Sequence, residues 1–271
     1  MEVKYHGKPP YRAVAVHGGP GAIGSAEELA LGLSDCCGVL EPYQTKYSIS
    51  ELIHELALQI EQNCGGPAVL IGHSWGAWLA ALTAAAYPGL VKKLILIGSG
   101  PLEACYVPQI EQRRRKNLSV EQAAEWDRLV LLLESGKGGD KLLGRVGALA
   151  EKADQYQAAG RTVQPKLPPD AVMYEKIWPA AAKMRENGRL AAEFRKISCS
   201  MVIIHGNNDP HPPEGIMVPL EQMGMMHKAY ILERCGHTPW EERFACEKFF
   251  EILRREVCDS GRPVVSTRNR E

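Results

Sequence analysis

Three residue types, if folding brings them together, would make this chain an acyl-transfer catalyst. Ser74 sits in Gly72-His73-Ser74-Trp75-Gly76, between the apolar run Ala68-Val69-Leu70-Ile71 and an Ala/Leu-rich stretch from Trp75 to Tyr87. A G-x-S-x-G pattern between a strand and a helix is a nucleophile elbow. The sharp turn strains the serine backbone, and glycine on either side keeps neighbouring chain free of Cβ clashes. The hydroxyl then stands above the sheet, and the helix N-terminus behind it favours developing negative charge.

A serine hydroxyl attacks only when a base takes its proton. Of eight histidines, His237 is placed best. It lies in Cys235-Gly236-His237-Thr238-Pro239-Trp240, just past the strand-like run Lys228 to Leu232. Loops at the carboxyl ends of strands are where an open α/β sheet carries its site. His205 and His211 are the remaining candidates. His6 belongs to a polar terminus, His54 to an outer helix face, and His73 should point away from the serine. The base needs a carboxylate to fix its tautomer and stabilise the imidazolium. Asp209, in His205-Gly206-Asn207-Asn208-Asp209-Pro210 after the run Met201 to Ile204, fits that role, with Glu214 as second choice. The tetrahedral oxyanion needs two donors. The N–H of Trp75 supplies one and Gly19, in His17-Gly18-Gly19-Pro20-Gly21, the other, since Pro20 has no N–H.

These residues need a scaffold, and the apolar patterning describes one. Strand and helix signals alternate, as in a mainly parallel sheet covered by helices on both faces. Ala13 to Val16 and Lys93 to Ile97 read as further strands. Ser48-Ile49-Ser50-Glu51 reads as a capping box opening a helix. A last helix is expected from about Glu241 to Val257, with Phe244, Phe249, Phe250 and Leu253 inward, and the polar tail Asp259 to Glu271 is expected to fray. The rhythm stops between 102 and 195, where no β-branched run occurs. That region reads as a helical cap broken at Gly136-Lys137-Gly138-Gly139 and at Lys166-Leu167-Pro168-Pro169-Asp170. Residues 1–101 and 196–271 form the core. Arg113-Arg114-Arg115-Lys116 inside the cap is expected to be a solvated helix face.

Composition narrows the alternatives. With 32 Lys and Arg against 32 Asp and Glu, the chain lacks the basic footprint of a nucleic-acid binder. Its apolar runs are shorter than the ~20 residues of a membrane span. Eight cysteines without C-x-x-C spacing, on a chain with no apolar leader, suggest free thiols in the cytoplasm and no zinc site.

The segments around Ser74, Asp209 and His237, in that order along the chain, resemble the α/β-hydrolase superfamily. His17-Gly18-Gly19-Pro20-Gly21 is similar to the HGGPG motif of its proline iminopeptidase group. The resemblance implies a hydrolase sheet with a helical cap between its sixth and seventh strands, and no cofactor or metal. The chain departs from that peptidase group at GHSWG (the group has GGSWG), at Glu41 to Ser48, and in a short N-terminal segment. The expected activity is a serine hydrolase acting on a small ester or amide through an acyl-enzyme. The alternatives are a proline iminopeptidase acting on short peptides, with cap acids (Glu103, Glu111, Glu121, Glu125, Glu134, Glu175) holding the ammonium, and a silent hydrolase-fold binding protein. Trp126, Tyr156, Tyr174 and Trp178 are candidate ligand contacts or lid packing.

Overall fold

Val14 and Val16 face one side of a strand and Ala13 and Ala15 the other, and all four are buried. A strand apolar on both faces must lie inside a sheet covered on both sides. The computed structural model, which describes residues 2–160 and 167–258, places it there.

In chain order come β1 (Val3–His6), β2 (Tyr11–Val16), α1 (Glu27–Leu31), β3 (Gly38–Pro42), α2 (Ile49–Asn63), β4 (Ala68–His73), α3 (Trp75–Ala86) and β5 (Val91–Ile97). Five helices follow: α4 (Val107–Asn117), α5 (Val120–Glu134), α6 (Asp140–Asp154), α7 (Ala171–Glu186) and α8 (Arg189–Phe194). The chain then returns to the sheet with β6 (Ser200–Gly206), α9 (Glu214–Gln222), β7 (Lys228–Leu232) and α10 (Cys246–Cys258). The seven strands lie in the order β1-β3-β2-β4-β5-β6-β7, and only β1 runs antiparallel. From β2 the chain steps outward to β3 and returns to β4 on the other side. The carboxyl ends of β2 and β4 therefore flank a topological switch point, where such sheets bind ligands.

One apolar layer, with Leu56, Trp78, Leu79 and Phe194, packs α2, α3 and α8 on one face. A second, with Leu29, Phe249 and Leu253, packs α1 and α10 on the other. A separate cluster of Trp126, Leu129, Leu143 and Leu149 holds α5 and α6 together away from the sheet. Ser48 caps α2, its Oγ accepting from the Glu51 N–H, but the Glu51 carboxylate takes its 2.6 Å bond from the Ser48 hydroxyl rather than from the backbone N–H that a capping box uses.

Four expectations are corrected. The helical insertion lies between the fifth and sixth strands of this sheet, not the sixth and seventh. His6 is not in a solvated terminus: it is 5% exposed on β1, and its Nε2 meets Glu41 Oε2 of β3 at 2.9 Å. Phe244 does not face inward but is 40% exposed beside Arg234 and Arg243, because a 3₁₀ turn at Pro239–Glu241 delays the last helix to Cys246. The Arg113–Lys116 run is a solvated face only in part: Arg115 and Lys116 are exposed, but Arg113 and Arg114 are not. Arg114 donates to both Asp154 oxygens at 2.7 and 2.6 Å, and Arg113 Nη1 donates to the Asp209 carbonyl at 3.2 Å. All eight cysteines are free thiols. Among the described residues no helix is long and apolar enough to cross a membrane. The tail from Asp259 and the Lys166 end of the second cap break lie outside the described residues.

Candidate active site

Ser74 follows β4 directly and caps α3, with φ 54° and ψ −120°. Left-handed backbone on a residue with a Cβ costs energy, and the surroundings hold it there. The Ser74 N–H donates to the Ile97 carbonyl at the end of β5, 3.0 Å away. Gly72 and Gly76 allow the turn to close: a Cβ on Gly72 would run into Gly76 and Ala77, and one on Gly76 into the carbonyls of Val16 and His17. The elbow thus presses against the loop after β2. Gln44 ties the two, accepting from Trp75 Nε1 at 2.9 Å and donating to the His17 carbonyl at 3.3 Å. In that loop Gly19 takes φ 109°, and Gly18 passes so close that a Cβ there would lie 3.5 Å from Ser74 Cβ. The N–H of Trp75, in the first turn of α3, has no intrahelical acceptor.

Asp209 follows β6 and is fully buried. It gathers three imidazoles: His237 Nδ1 lies 2.8 Å from Oδ2, His211 Nδ1 2.9 Å from Oδ1, and His205 Nε2 3.2 Å from Oδ2. The His211 N–H adds a fourth donor at 2.8 Å. Burial opposes the charge on Asp209, but His237, His205 and His211 outweigh it and hold the carboxyl well below the usual range. For His237 burial likewise works against the proton, yet the Asp209 charge and hydrogen bond raise its pKa above the ordinary 6.5. Burial, with His237 adjacent, drives His211 down to about 4. The two rings stack 4.4 Å apart.

His73 turns toward His237, the two ring centroids 4.7 Å apart. Its Nε2 is 3.0 Å from the His237 carbonyl, which can only accept, so that nitrogen carries the proton. Burial first, then His237, holds His73 neutral with a pKa near 3. The His237 N–H donates to the Asp154 carbonyl at 2.8 Å. Glu242 accepts from the N–H groups of Gly236, Tyr156 and Gln157 at 2.7–2.8 Å, joining the His237 loop to the chain after α6.

Ser74, His211 and His237 all line one cavity of about 620 Å³ between the strand ends and α4–α7. Asp209 and His237 are brought into hydrogen-bond contact. Among the described residues no hydrogen bond joins Ser74 Oγ to His237. In unliganded sites that bond is often long and tightens when substrate arrives. Ligand atoms of Asp154, His211 and His237 lie within 4.8 Å of one another. The Arg114 guanidinium already occupies both Asp154 oxygens, so this cluster repels a cation rather than inviting one. Glu214, the second-choice acid, heads α9 and is not among the partners of these imidazoles. Sequence reasoning missed Gln44, Arg114, Asp154 and the engagement of His205 and His211 with Asp209. Only the last left a signal, in the spacing His205-x₃-Asp209-x-His211.

A profile of the family described as "Alpha/beta hydrolase family" matches residues 14–250. The chain belongs to that family. Among solved structures the hydrolase fold recurs at low identity. A serine hydrolase from the polyaromatic-hydrocarbon-degrading bacterium Cycloclasticus zankles is 15% identical, with TM-score 0.62 over 96% of this chain and 95% of that one. A thermophilic esterase from Thermogutta terrifontis is 17% identical, with TM-score 0.62 over 96% and 94%. A meta-cleavage product hydrolase from Pseudomonas fluorescens IP01 is also 17% identical, with TM-score 0.61 over 96% and 94%. Among curated proteins the sequence finds no significant match.

Proposed function

We propose that this alpha/beta hydrolase is a serine hydrolase that cleaves a small ester or amide through an acyl-enzyme. One observation carries the reading: a serine held at φ 54° on the switch point shares its cavity with an imidazole bonded to a buried carboxylate at 2.8 Å. Ser74 Oγ attacks the scissile carbonyl as His237 Nε2 takes its proton. Asp209 holds the other ring nitrogen and stabilises the imidazolium. The N–H groups of Trp75 and Gly19 bind the oxyanion, and one such donor contributes about 3–4 kcal/mol of transition-state stabilisation. His237 then returns the proton to the leaving alcohol or amine. Water, deprotonated by His237, releases the acid and restores Ser74. Residues 102–195 act as the cap that encloses the substrate, and the free thiols fit a reducing cytoplasm.

The iminopeptidase reading has less support. Of the six cap acids proposed to hold an ammonium, only Glu111 lines the cavity, and Trp126 Nε1 donates to it at 3.2 Å. A fluorophosphonate probe and p-nitrophenyl acetate test the proposal together. Ser74→Ala should lose both labelling and turnover; a variant that keeps either one refutes the assignment.

A further inference from the structure

Among the described residues two guanidinium groups line the cavity, in opposite electrostatic states. Arg114 is neutralised by Asp154 through a two-pronged ion pair. Arg185, in the last turn of α7, is only 8% exposed, yet among the described residues no carboxylate pairs with it. Its Nε is buried without any hydrogen-bond partner. Arginine is almost never this buried unless paired, because removing its charge from water is costly. A purely structural account does not remove the difficulty. The guanidinium donates to none of the carbonyls that end α7, and its neighbour is the face of Trp78, with Cζ 5.5 Å from the ring centroid. Stacking on an indole favours a cation but satisfies none of its five N–H donors.

Trp78 connects this group to the chemistry. It lies four residues beyond Ser74 on α3, about 6 Å along the axis at 1.5 Å per residue. Trp178 stacks on Trp78 at 6.2 Å and Tyr174 on Trp178 at 6.3 Å, making an apolar wall between the cavity's charged groups. We propose that the substrate carries a carboxylate, remote from its scissile carbonyl, which Arg185 binds as the missing partner. A single guanidinium balances one negative charge, and its planar fork matches a carboxylate in two parallel hydrogen bonds. A phosphate monoester, with nearly two charges, would need a second free cation, and among the described lining residues the other guanidinium, Arg114, is already occupied. The substrate class is thus an ester or amide of a dicarboxylic acid, or an acylated amino acid. This rests on the hydrolase reading above.

The test compares p-nitrophenyl butyrate with the mono-p-nitrophenyl ester of glutaric acid. In the parent enzyme the anionic ester should have the higher kcat/KM. The ratio of the two should fall 10- to 100-fold in Arg185→Met and by less in Arg185→Lys, which keeps the charge without the fork. Met preserves packing on Trp78 and removes a buried unpaired charge, so the Met variant should melt no lower than its parent. An unchanged ratio, or a Met variant that melts lower and shows no change in preference, overturns the proposal. If the parent cleaves neither ester, the hydrolase reading fails separately, and Arg185 is judged by binding. Glutarate titrated calorimetrically into Ser74→Ala should lose at least tenfold in affinity in Ser74→Ala/Arg185→Met. Equal affinities, or no glutarate binding to Ser74→Ala, overturn the inference.

Discussion

Two stacked imidazoles share the two oxygens of Asp209, and replacing each in turn decides which is the base. On distance alone they are almost equivalent, His237 Nδ1 at 2.8 Å and His211 Nδ1 at 2.9 Å. Their proton affinities differ: His237 is raised above 6.5, whereas burial and its neighbour push His211 to about 4. A base near pKa 4 is a poor proton acceptor at neutral pH, so His211 works as a neutral donor. His211→Ala removes one hydrogen bond to a carboxylate, roughly 1.5–3 kcal/mol. Even if all of that appeared in the transition state it would cost at most about 150-fold in kcat, at about 1.4 kcal/mol per decade. The loss should be smaller, because the residue-211 N–H keeps its 2.8 Å bond to Oδ1. His237→Ala removes the proposed base and should cost about 10⁴-fold or more. The assay is the pre-steady-state burst of p-nitrophenol against pH. The parent burst rate should rise with pH as His237 loses its proton, with a midpoint above 6.5. In His211→Ala the limb should stay and move upward, since a carboxylate with fewer donors holds the His237 proton more tightly. If His211→Ala falls as far as His237→Ala, or the limb sits near pH 4, the assignment of the base is wrong.

Acid should weaken the fold before it protonates Asp209. His17 is fully buried with a pKa lowered by burial to about 4, and His211 sits near 4. The unfolded chain binds those protons near 6.5 and the folded chain does not, so stability falls as pH drops through that window, by about 2 kcal/mol per histidine at pH 5. His237 acts in the opposite sense, its raised pKa adding stability below 6.5, so the net loss is smaller. Melting curves between pH 6.5 and 5 check this, and a flat Tm contradicts it. Arg114→Ala should destabilise by about 3–5 kcal/mol by leaving the Asp154 carboxylate buried and uncompensated. Adding Asp154→Asn should recover part of the loss in the urea midpoint, whereas additive losses would show that the pair is not the cause.

The strained turn at Ser74 was legible because everything it needs is local: an apolar strand, two glycines and a helix within about twenty residues. The loops bearing Asp209 and His237 were legible because each follows a clear β-branched run. What escaped depends on pairing across the chain. β1 and β3 have four and five residues, too short for periodicity to register, and β3 buries a polar Glu41 whose partner, His6, lies 35 residues away in sequence. The basic run 113–116 shows the same limit. A helix turns successive side chains by about 100°, so Arg114 faces the cavity while Arg115 pairs with exposed Asp127. Composition cannot say that Arg113 and Arg114 turn inward while Arg115 and Lys116 stay in solvent. Phe244 misled in the other direction, because the apolar pattern ran through a turn that Pro239 had already set.

The geometry of His237 also explains why five helices inserted between β5 and β6 bear on the chemistry. The last carbonyls of any helix lack intrahelical donors, and the Asp154 carbonyl, at the end of α6, takes its donor from the His237 N–H. Gly236 lets the two chains approach, since a Cβ there would strike that carbonyl. The contact does more than hold position. A helix C-terminus carries partial negative charge, and the Asp154 carboxylate adds to the pull on the His237 proton while Arg114 moderates it. With its N–H held by α6, its C=O by His73 beside Ser74, and its ring by Asp209, His237 is fixed by three separate stretches of chain. Loosening α6 would therefore remove a positional restraint and part of the field that makes His237 basic. The insertion and the sheet contribute to one imidazole, and neither alone defines its proton affinity.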